Sequence, residues 1–351
     1  MARGIIGLDI GTTAVRAAEL RGKEPATLVR FAQLSMPPGA MVAGEIADRD
    51  AVAAVIRDLW RRGEFKPKQV AIAVANQNVI VRQVELPRME EEDLRGALRF
   101  QVQDHIPIPI DDAHLDSLIL DLFMSEEGAD MMRVLAVAAQ KEMISAFVDV
   151  VQRAGLEPAS IDVAPLVTLR SLVDPMPAIE GAREAEAIVD IGGGVTNVLV
   201  HEAGTPRFVR ILAAGGNDIT AALVSELGLT VEDAEAQKYS TALQSEGAPI
   251  DPGVPTIIEQ RARAFIDDVR RSIEYYQSQP DGTKITRVLL TGGGSRLRRL
   301  PERLASALRI PVEEARALSR VQVAELGLTP EQIEQVEAVG AVAIGLAMEV
   351  A

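Results

Sequence analysis

Two aspartates in this chain end an apolar run and open onto the same corner: Asp9-Ile10-Gly11, followed by Thr12 and Thr13, and Asp190-Ile191-Gly192, followed by Gly193 and Gly194. A single such corner reads equally well as a hairpin with a glycine turn. Here the stretches "IIGLDIGTTAVRAAEL" (5–20) and "AIVDIGGGVTNVLV" (187–200) share one layout, and the two Asp-Ile-Gly triplets align without a gap. That distance between copies points to two related lobes and not to a short-period solenoid. Two loops facing each other across a cleft could hold a polyphosphate. Glycine lets backbone N–H groups approach phosphate oxygens closely, and threonine hydroxyls add donors. A carboxylate does not bind phosphate, but Asp9 and Asp190 can hold the water shell of a Mg²⁺ ion that neutralises it.

Two further glycine elements carry the same chemistry. "RVLLTGGGSRLRRLPERL" (287–304) is an apolar strand, a turn with Gly292, Gly293, Gly294 and Ser295, then a helix. Such a turn lets a flat ligand lie on bare backbone. "AAGGNDIT" (213–220) puts Gly215 and Gly216 at a helix start, where free amides suit an anion. Singly each is read as a turn; four in one chain favour a site. The candidate contacts beside these turns are completed by Thr196, Asn197, Asp218 and Arg296.

The elements that must position these residues alternate strand and helix. Residues 4–10 and 14–20 read as paired strands. Residues 47–63 read as a helix capped by Asp48 or Asp50, with Val52, Val55, Ile56 and Leu59 on one face and Gly63 at its end. Strands follow at 69–75 and 79–86. A second helix, 89–105, has an acidic first turn suited to the helix dipole and a Leu94–Leu98–Val102 stripe, and "IPIPIDD" stops it. Strands near 114–123 and 132–139 flank an acidic loop, and the helix 141–154 ends at Gly155. The strand "SIDV" leads into a helix beginning at Pro165. The Pro-, Gly- and Glu-rich segment 174–187 reads as the connection to a second lobe.

Composition narrows the partners. The chain has 351 residues, 48% of them hydrophobic, enough for two lobes with sizeable cores. It has no cysteine, which excludes disulfides and thiol chemistry and agrees with a reducing cytosol. His105, His114 and His201 lack metal-ligand spacing. The formal net charge of −15 opposes binding to nucleic acid and to anionic lipid. No signal peptide opens the sequence, and "AVGAVAIGLAMEV" (338–350) falls short of the ~20 residues a bilayer span needs. A soluble, cytoplasmic protein without direct membrane insertion is expected.

The two hairpins and the "TGGGS" turn resemble, in order, the two phosphate loops and the adenosine loop of the actin-like ATPase superfamily. In "EDAEAQKYS", Glu235 and Lys238 match the AExxK spacing with which related members flank the adenosine, although a solvated ion pair has the same spacing. "VEAVGAVAIGLAME" resembles the helix that closes the superfamily fold on its first lobe. Within the superfamily, "VIVRQVELPRMEEEDLRGALRFQVQDHIPIPIDD" and "VLAVAAQKEMISAFVDVVQRAGLEPASIDVAPL" resemble the type IV pilus assembly protein PilM family.

That resemblance implies an α/β, two-lobed actin-like ATPase fold with an FtsA-type α/β subdomain inserted in the first lobe. The expected division is 1–86 (first-lobe core), 87–155 (insertion), 156–185 (first-lobe core again), 186–335 (second lobe) and 336–351 (closing helix). It implies Mg-ATP as ligand, with Arg16 reaching a terminal phosphate unless it merely decorates a strand edge. Hydrolytic relatives place Glu-Pro where this chain reads Ala164-Pro165, so weak or absent hydrolysis is expected. Asp162 is a weak substitute, more simply read as structural.

The implied role is a cytoplasmic scaffold of type IV pilus or related secretion-like assembly, recruited to the membrane by the N-terminal peptide of a PilN-like protein. The pilus assembly motor ATPases are further implied partners. The peptide is expected in a groove between the first-lobe core and the insertion. The Leu94–Leu98–Val102 stripe and an extended "HIPIPI" edge could line that groove, or could be ordinary core and loop. Two alternatives are an actin-like metabolic kinase, for which no substrate motif is visible, and an FtsA-like filament-forming division protein, whose amphipathic tail finds no counterpart in the sequence.

Overall fold

The computed structural model describes residues 4–22, 25–175, 184–243 and 251–348. Two sheets repeat one plan. In the first lobe the order is Thr27–Ser35, Ala14–Arg21, Ile6–Ile10, Gln69–Val74, Glu157–Val163, with the short strand Gln322–Val323 added outside Thr27–Ser35. In the second it is Thr205–Leu212, Thr196–Glu202, Ala185–Ile191, Ile285–Thr291, Val312–Glu314. Each lobe thus begins as an antiparallel three-strand meander and continues with two parallel strands on the far side of its Asp-Ile-Gly strand. The duplication read from the triplets is a duplication of sheet topology.

Local chemistry sets the helices. Asp48 caps Arg49–Arg62 by accepting from the Asp50 and Ala51 amides at 3.0 Å each, and Val52, Ile56 and Leu59 are buried while Val55 is half-buried. Pro165 sits in the first turn of Ala164–Leu172. The late apolar segment divides at Gly340 into Pro330–Val339 and Ala341–Met348. The second helix is buried on every side from Ala341 to Ala347, as an all-apolar helix requires. Two glycines make room for it. A Cβ on Gly7 would lie 2.0 Å from the Ala343 carbonyl oxygen, and one on Gly345 would lie 2.2 Å from that of Val167. The helix therefore wedges between the first strand and Ala164–Leu172, closing the chain on its first lobe. Among the described residues no helix is long and apolar enough to cross a membrane.

A third sheet, in the order Val79–Pro87, Asp130–Gln140, Ala113–Met124, forms a small subdomain with the helix Glu91–Gln101. Its first strand lies upstream of the boundary expected at 87. The helix Lys141–Arg153, inside the expected insertion, buries Met143, Phe147, Val150 and Val151 in the first-lobe core. At both elements read for peptide docking the structure takes the second alternative, ordinary core and loop. Leu94, Leu98 and Val102 are buried against Val84, Leu86, Met132, Val134 and Ala136, so the stripe is the subdomain's own core. "HIPIPI" is not a strand edge. It bends into a 3₁₀ turn, Ile110–Asp112, with Ile106 buried in the same core. The helix also stops at Gln101, short of 105. Of the connection expected at 174–187, residues 176–183 lie outside the described residues, as do 349–351 of the closing segment.

Candidate functional site

The two Asp-Ile-Gly corners are closed by the same hydrogen bond. The Gly11 N–H donates to the Ala14 carbonyl at 3.0 Å, and the Gly192 N–H donates to that of Val195 at 2.9 Å. The lobes bring these corners into contact. A Cβ on Gly193 would lie 2.3 Å from Thr13 Cγ2, and one on Gly194 would lie 2.9 Å from Thr12 Oγ1. A larger residue at this meeting point would have to displace the two threonine side chains. Behind it, the helix Gly216–Leu227 docks on the second corner, its Gly216 and Asn217 amides donating to the Gly192 and Gly193 carbonyls at 3.0 and 2.8 Å. The Gly215 N–H is taken by the Asp218 carboxylate at 2.9 Å. This helix start does not offer these amides to an anion, contrary to the expectation, and Gly215 serves close packing, whereas a Cβ on Gly216 would come no nearer than 3.8 Å to anything. A Cβ on Gly215 would meet both corner carbonyls at 2.5 Å.

The third loop completes the wall. Gly292 adopts φ +84°, and a Cβ there would lie 2.4 Å from the Ile191 carbonyl oxygen and 2.5 Å from Asp190 Oδ1. Its N–H and the Thr291 hydroxyl donate to the Ala338 carbonyl, tying the loop to the last helices.

Between the lobes these elements enclose a cleft of about 390 Å³. Asp9, Gly11, Thr12, Thr13, Arg16, Asp190, Gly192, Gly193, Asn197, Gly215, Gly216, Asp218, Glu235, Lys238, Gly292, Gly293, Gly294 and Arg296 all line it. Gly194, Thr196 and Ser295 are not on its wall. Gly194 packs on Thr12, while the buried hydroxyls of Thr196 and Ser295 donate to the Ala214 and Gly292 carbonyls at 2.8 and 2.7 Å and so hold the loops in shape. Asp162 stands apart from the cleft. Its carboxylate pairs with Arg170 at 2.7 Å and accepts from the Val163 amide, so it is committed elsewhere.

The electrostatics centre on the two aspartates. Arg16 pairs with Asp9 at 3.0 Å and donates to Gln33 at 2.9 Å, so its guanidinium is held at the strand ends. Burial pushes the Asp9 carboxyl above its ordinary value, with Arg16 opposing. Asp190 is pushed up to about 6, first by burial and then by the charge of Asp9, although Asn197 donates to it at 3.3 Å. Two carboxylates share this space with one guanidinium. Beside them the side-chain oxygen Oδ1 of Asn197 is buried without a hydrogen-bond partner. On the opposite side, Lys238 bonds Glu235 at 2.6 Å and Thr220 at 2.8 Å, fixing that pair against the helix Gly216–Leu227. The cleft also uses residues the sequence did not single out, among them Asn217, Tyr239, Arg261 and Phe265. Tyr239 follows Lys238 and stays 61% exposed, while Phe265 lies within the long amphipathic helix Val254–Gln277 and carries no local signal.

A model of the type IV pilus assembly protein PilM family matches residues 7–351. Among solved structures, a chain of a PilM–PilN type IV pilus biogenesis complex superposes with a TM-score of 0.84 at 26% identity, covering 99% of this chain and 98% of its own. MreB 5 of Spiroplasma citri, solved with AMPPNP, shares the fold with a TM-score of 0.53 at 14% identity, over 98% of this chain and 95% of its own. The cell division protein FtsA of Neisseria meningitidis serogroup B (strain MC58) is 24% identical over 297 residues, 77% of this chain and 70% of FtsA. The repeated sheets, the glycine-lined cleft and the match over nearly the whole sequence agree: the chain belongs to the type IV pilus assembly protein PilM family.

Proposed function

We propose that this chain is a nucleotide-binding scaffold of type IV pilus assembly that holds Mg-ATP in the cleft and docks the N-terminal cytoplasmic peptide of a PilN-like inner-membrane protein. The observation that carries the nucleotide reading is the convergence of Asp9 and Asp190 on one cleft between paired glycine corners. The residues present fit a divalent cation. Two partly buried carboxylates raised above their ordinary range, next to an unpartnered Asn197 oxygen, form a site that a cation relieves. Among the described residues no group of three or more acidic or histidine side chains stands together as a metal cage. The ion would therefore keep water and take phosphate oxygens, as Mg²⁺ does.

A scaffold is favoured over a kinase by the state of the cleft's other carboxylates. Asp218 caps Gly215, Glu235 is bound to Lys238 and Asp268 pairs with Arg271, so each is already engaged. A kinase needs a carboxylate free to take the acceptor's proton. The support for the membrane partner is the likeness to the PilM–PilN complex over nearly the whole chain. Recruitment through such a partner also suits a chain of net charge −15, which anionic lipid repels.

Two titrations test the proposal. Calorimetry with Mg-ATP should show binding that Asp190→Ala weakens; an unchanged affinity in that variant rejects the metal role. A fluorescent synthetic PilN-tail peptide should bind by anisotropy. No binding at ~100 μM peptide, with or without ATP, rejects the scaffold, since even ~1 mM affinity is worth only about 4 kcal/mol.

A further inference from the structure

We infer that the outer edge of the strand Ala113–Met124 is a docking site for a basic, extended segment of a partner protein, which adds to the small sheet as a fourth strand. The site is independent of the nucleotide cleft. The strand is outermost in its sheet: its inner edge pairs with Asp130–Gln140, and no strand among the described residues pairs its outer edge. A row of backbone donors and acceptors is left facing out.

The side chains are unusual for a solvated edge. Ten large apolar side chains are exposed among the described residues, and four of them, Leu118, Ile119, Leu122 and Met124, belong to this one strand. A fifth, Phe100 at 71% exposure, is on the helix Glu91–Gln101 that packs against it. Such clustering marks an interaction surface where scattered residues would not. Protected edges carry lysine or proline, yet residues 111–130 contain no Lys, Arg or Pro. The one irregularity is a bulge at Leu120, and it serves the interior by setting Asp121 against Arg133 and Arg207.

Charge selects the occupant. Asp112, Asp116, Glu126, Glu127 and Asp130 are exposed along the strand and its turn. A second copy would set these carboxylates against their equivalents, and an anionic membrane would be repelled, so a segment carrying Lys or Arg fits best. Register gives the pattern. Ile119, Leu122 and Met124 share the face of Val134 and Met132, while Asp116 and Leu118 share the opposite one. An added strand would place apolar residues on the first face and basic ones on the second, with backbone hydrogen bonds supplying affinity.

The probe is a labelled twelve-residue peptide alternating lysine with valine, read by anisotropy at low salt. The controls are a proline-interrupted version and a version with glutamate for lysine. Binding of the first alone, protection of amides 113–124 in hydrogen exchange, and at least tenfold weaker binding to Leu122→Ser/Met124→Ser are expected. That variant should keep the wild-type thermal midpoint and its affinity for Mg-ATP. Equal binding of the proline control, no protection at 113–124, or no binding at 1 mM overturns the inference. So does a dimer in sedimentation that the double substitution dissolves, since the edge would then serve a second copy.

Discussion

Arg207, on the second lobe's outer strand, closes a two-pronged ion pair on Asp121 of the small subdomain, one prong at 3.3 Å. Arg133 of the subdomain reaches back to Asp281 of the second lobe at 2.9 Å and holds Glu85 at 2.7 Å. The bulge at Leu120 makes this possible, because it sets Asp121 opposite Arg133 in the ladder. Burial raises the Asp121 carboxyl, but Arg207 and Arg133 outweigh it and hold the group below its ordinary value. The pair therefore stabilises the fold above about pH 4 and is lost as the pH falls further. Asp121→Asn is expected to lower the thermal midpoint by about 1–3 °C at pH 7, and by less at pH 3.5, in a fluorimetric melt. A deficit of equal size at both pH values would show that charge is not the cause.

Asp190 has the opposite sign. Its carboxyl is raised to about 6 by burial and by Asp9, so the folded protein holds that proton more tightly than the unfolded chain. Its contribution to stability is fully present below the ordinary carboxylate range and is lost as the pH rises through about 6, an effect of at most about 3 kcal/mol. Asp190→Asn should thus raise the melting temperature of the nucleotide-free protein at pH 8 and not at pH 5, while weakening Mg-dependent nucleotide binding. Melts at both pH values, with and without Mg-ATP, separate the two effects.

Gly7 tests how the chain closes. A Cβ there would lie 2.0 Å from the Ala343 carbonyl oxygen and 2.7 Å from the Ala347 amide nitrogen, both backbone atoms that cannot swing aside. Gly7→Ala is expected to cost more than the ~1–3 kcal/mol of ordinary overpacking and to expose the last helix to protease. Gly96→Ala, on an exposed helical surface with nothing within 4 Å, should instead stabilise by roughly 0.5–1 kcal/mol. Limited proteolysis of the two variants side by side gives the comparison.

The features legible in the sequence were those set by local chemistry. A carboxylate at the end of an apolar strand before small residues is rare enough that its repetition at Asp190 announced the duplicated lobes. The Asp48 cap and Pro165 marked helix starts for the same reason. What depended on distant partners was not legible. The period of Leu94, Leu98 and Val102 showed an apolar face, but the sheet that covers it comes partly from residues 132–138. Glycines 215 and 216 read as an open helix start, because nothing nearby in sequence showed that the Gly192 and Gly193 carbonyls would take the amides. The structural reading of Asp162 has its reason in Arg170, two turns into the helix that follows, a partner no local pattern names. Phe265 reached the cleft from a helix whose pattern says only that one face is buried.

Hydrolysis gives the last prediction. Ala164 opens the helix Ala164–Leu172 and lines the cleft, where its methyl group can neither orient nor polarise water. Asp162, two residues earlier, is paired with Arg170 and absent from the cleft wall, while Asp218 and Glu235 are occupied by Gly215 and Lys238. Without a positioned base the chemical step forgoes a factor of about 10²–10⁴. Against a typical turnover of ~10 s⁻¹, the wild-type protein is expected to hydrolyse ATP at or below about 0.1 s⁻¹. Ala164→Glu restores a carboxylate at the first residue of a helix, where the dipole favours negative charge. It should raise turnover by about 10²-fold with ATP affinity little changed, and Asp162→Ala should leave the rate as it is. A steady-state phosphate-release assay on the three proteins decides the matter: wild-type turnover near 1 s⁻¹ that Asp162→Ala abolishes would place the catalytic base at Asp162 and sink this account of the cleft.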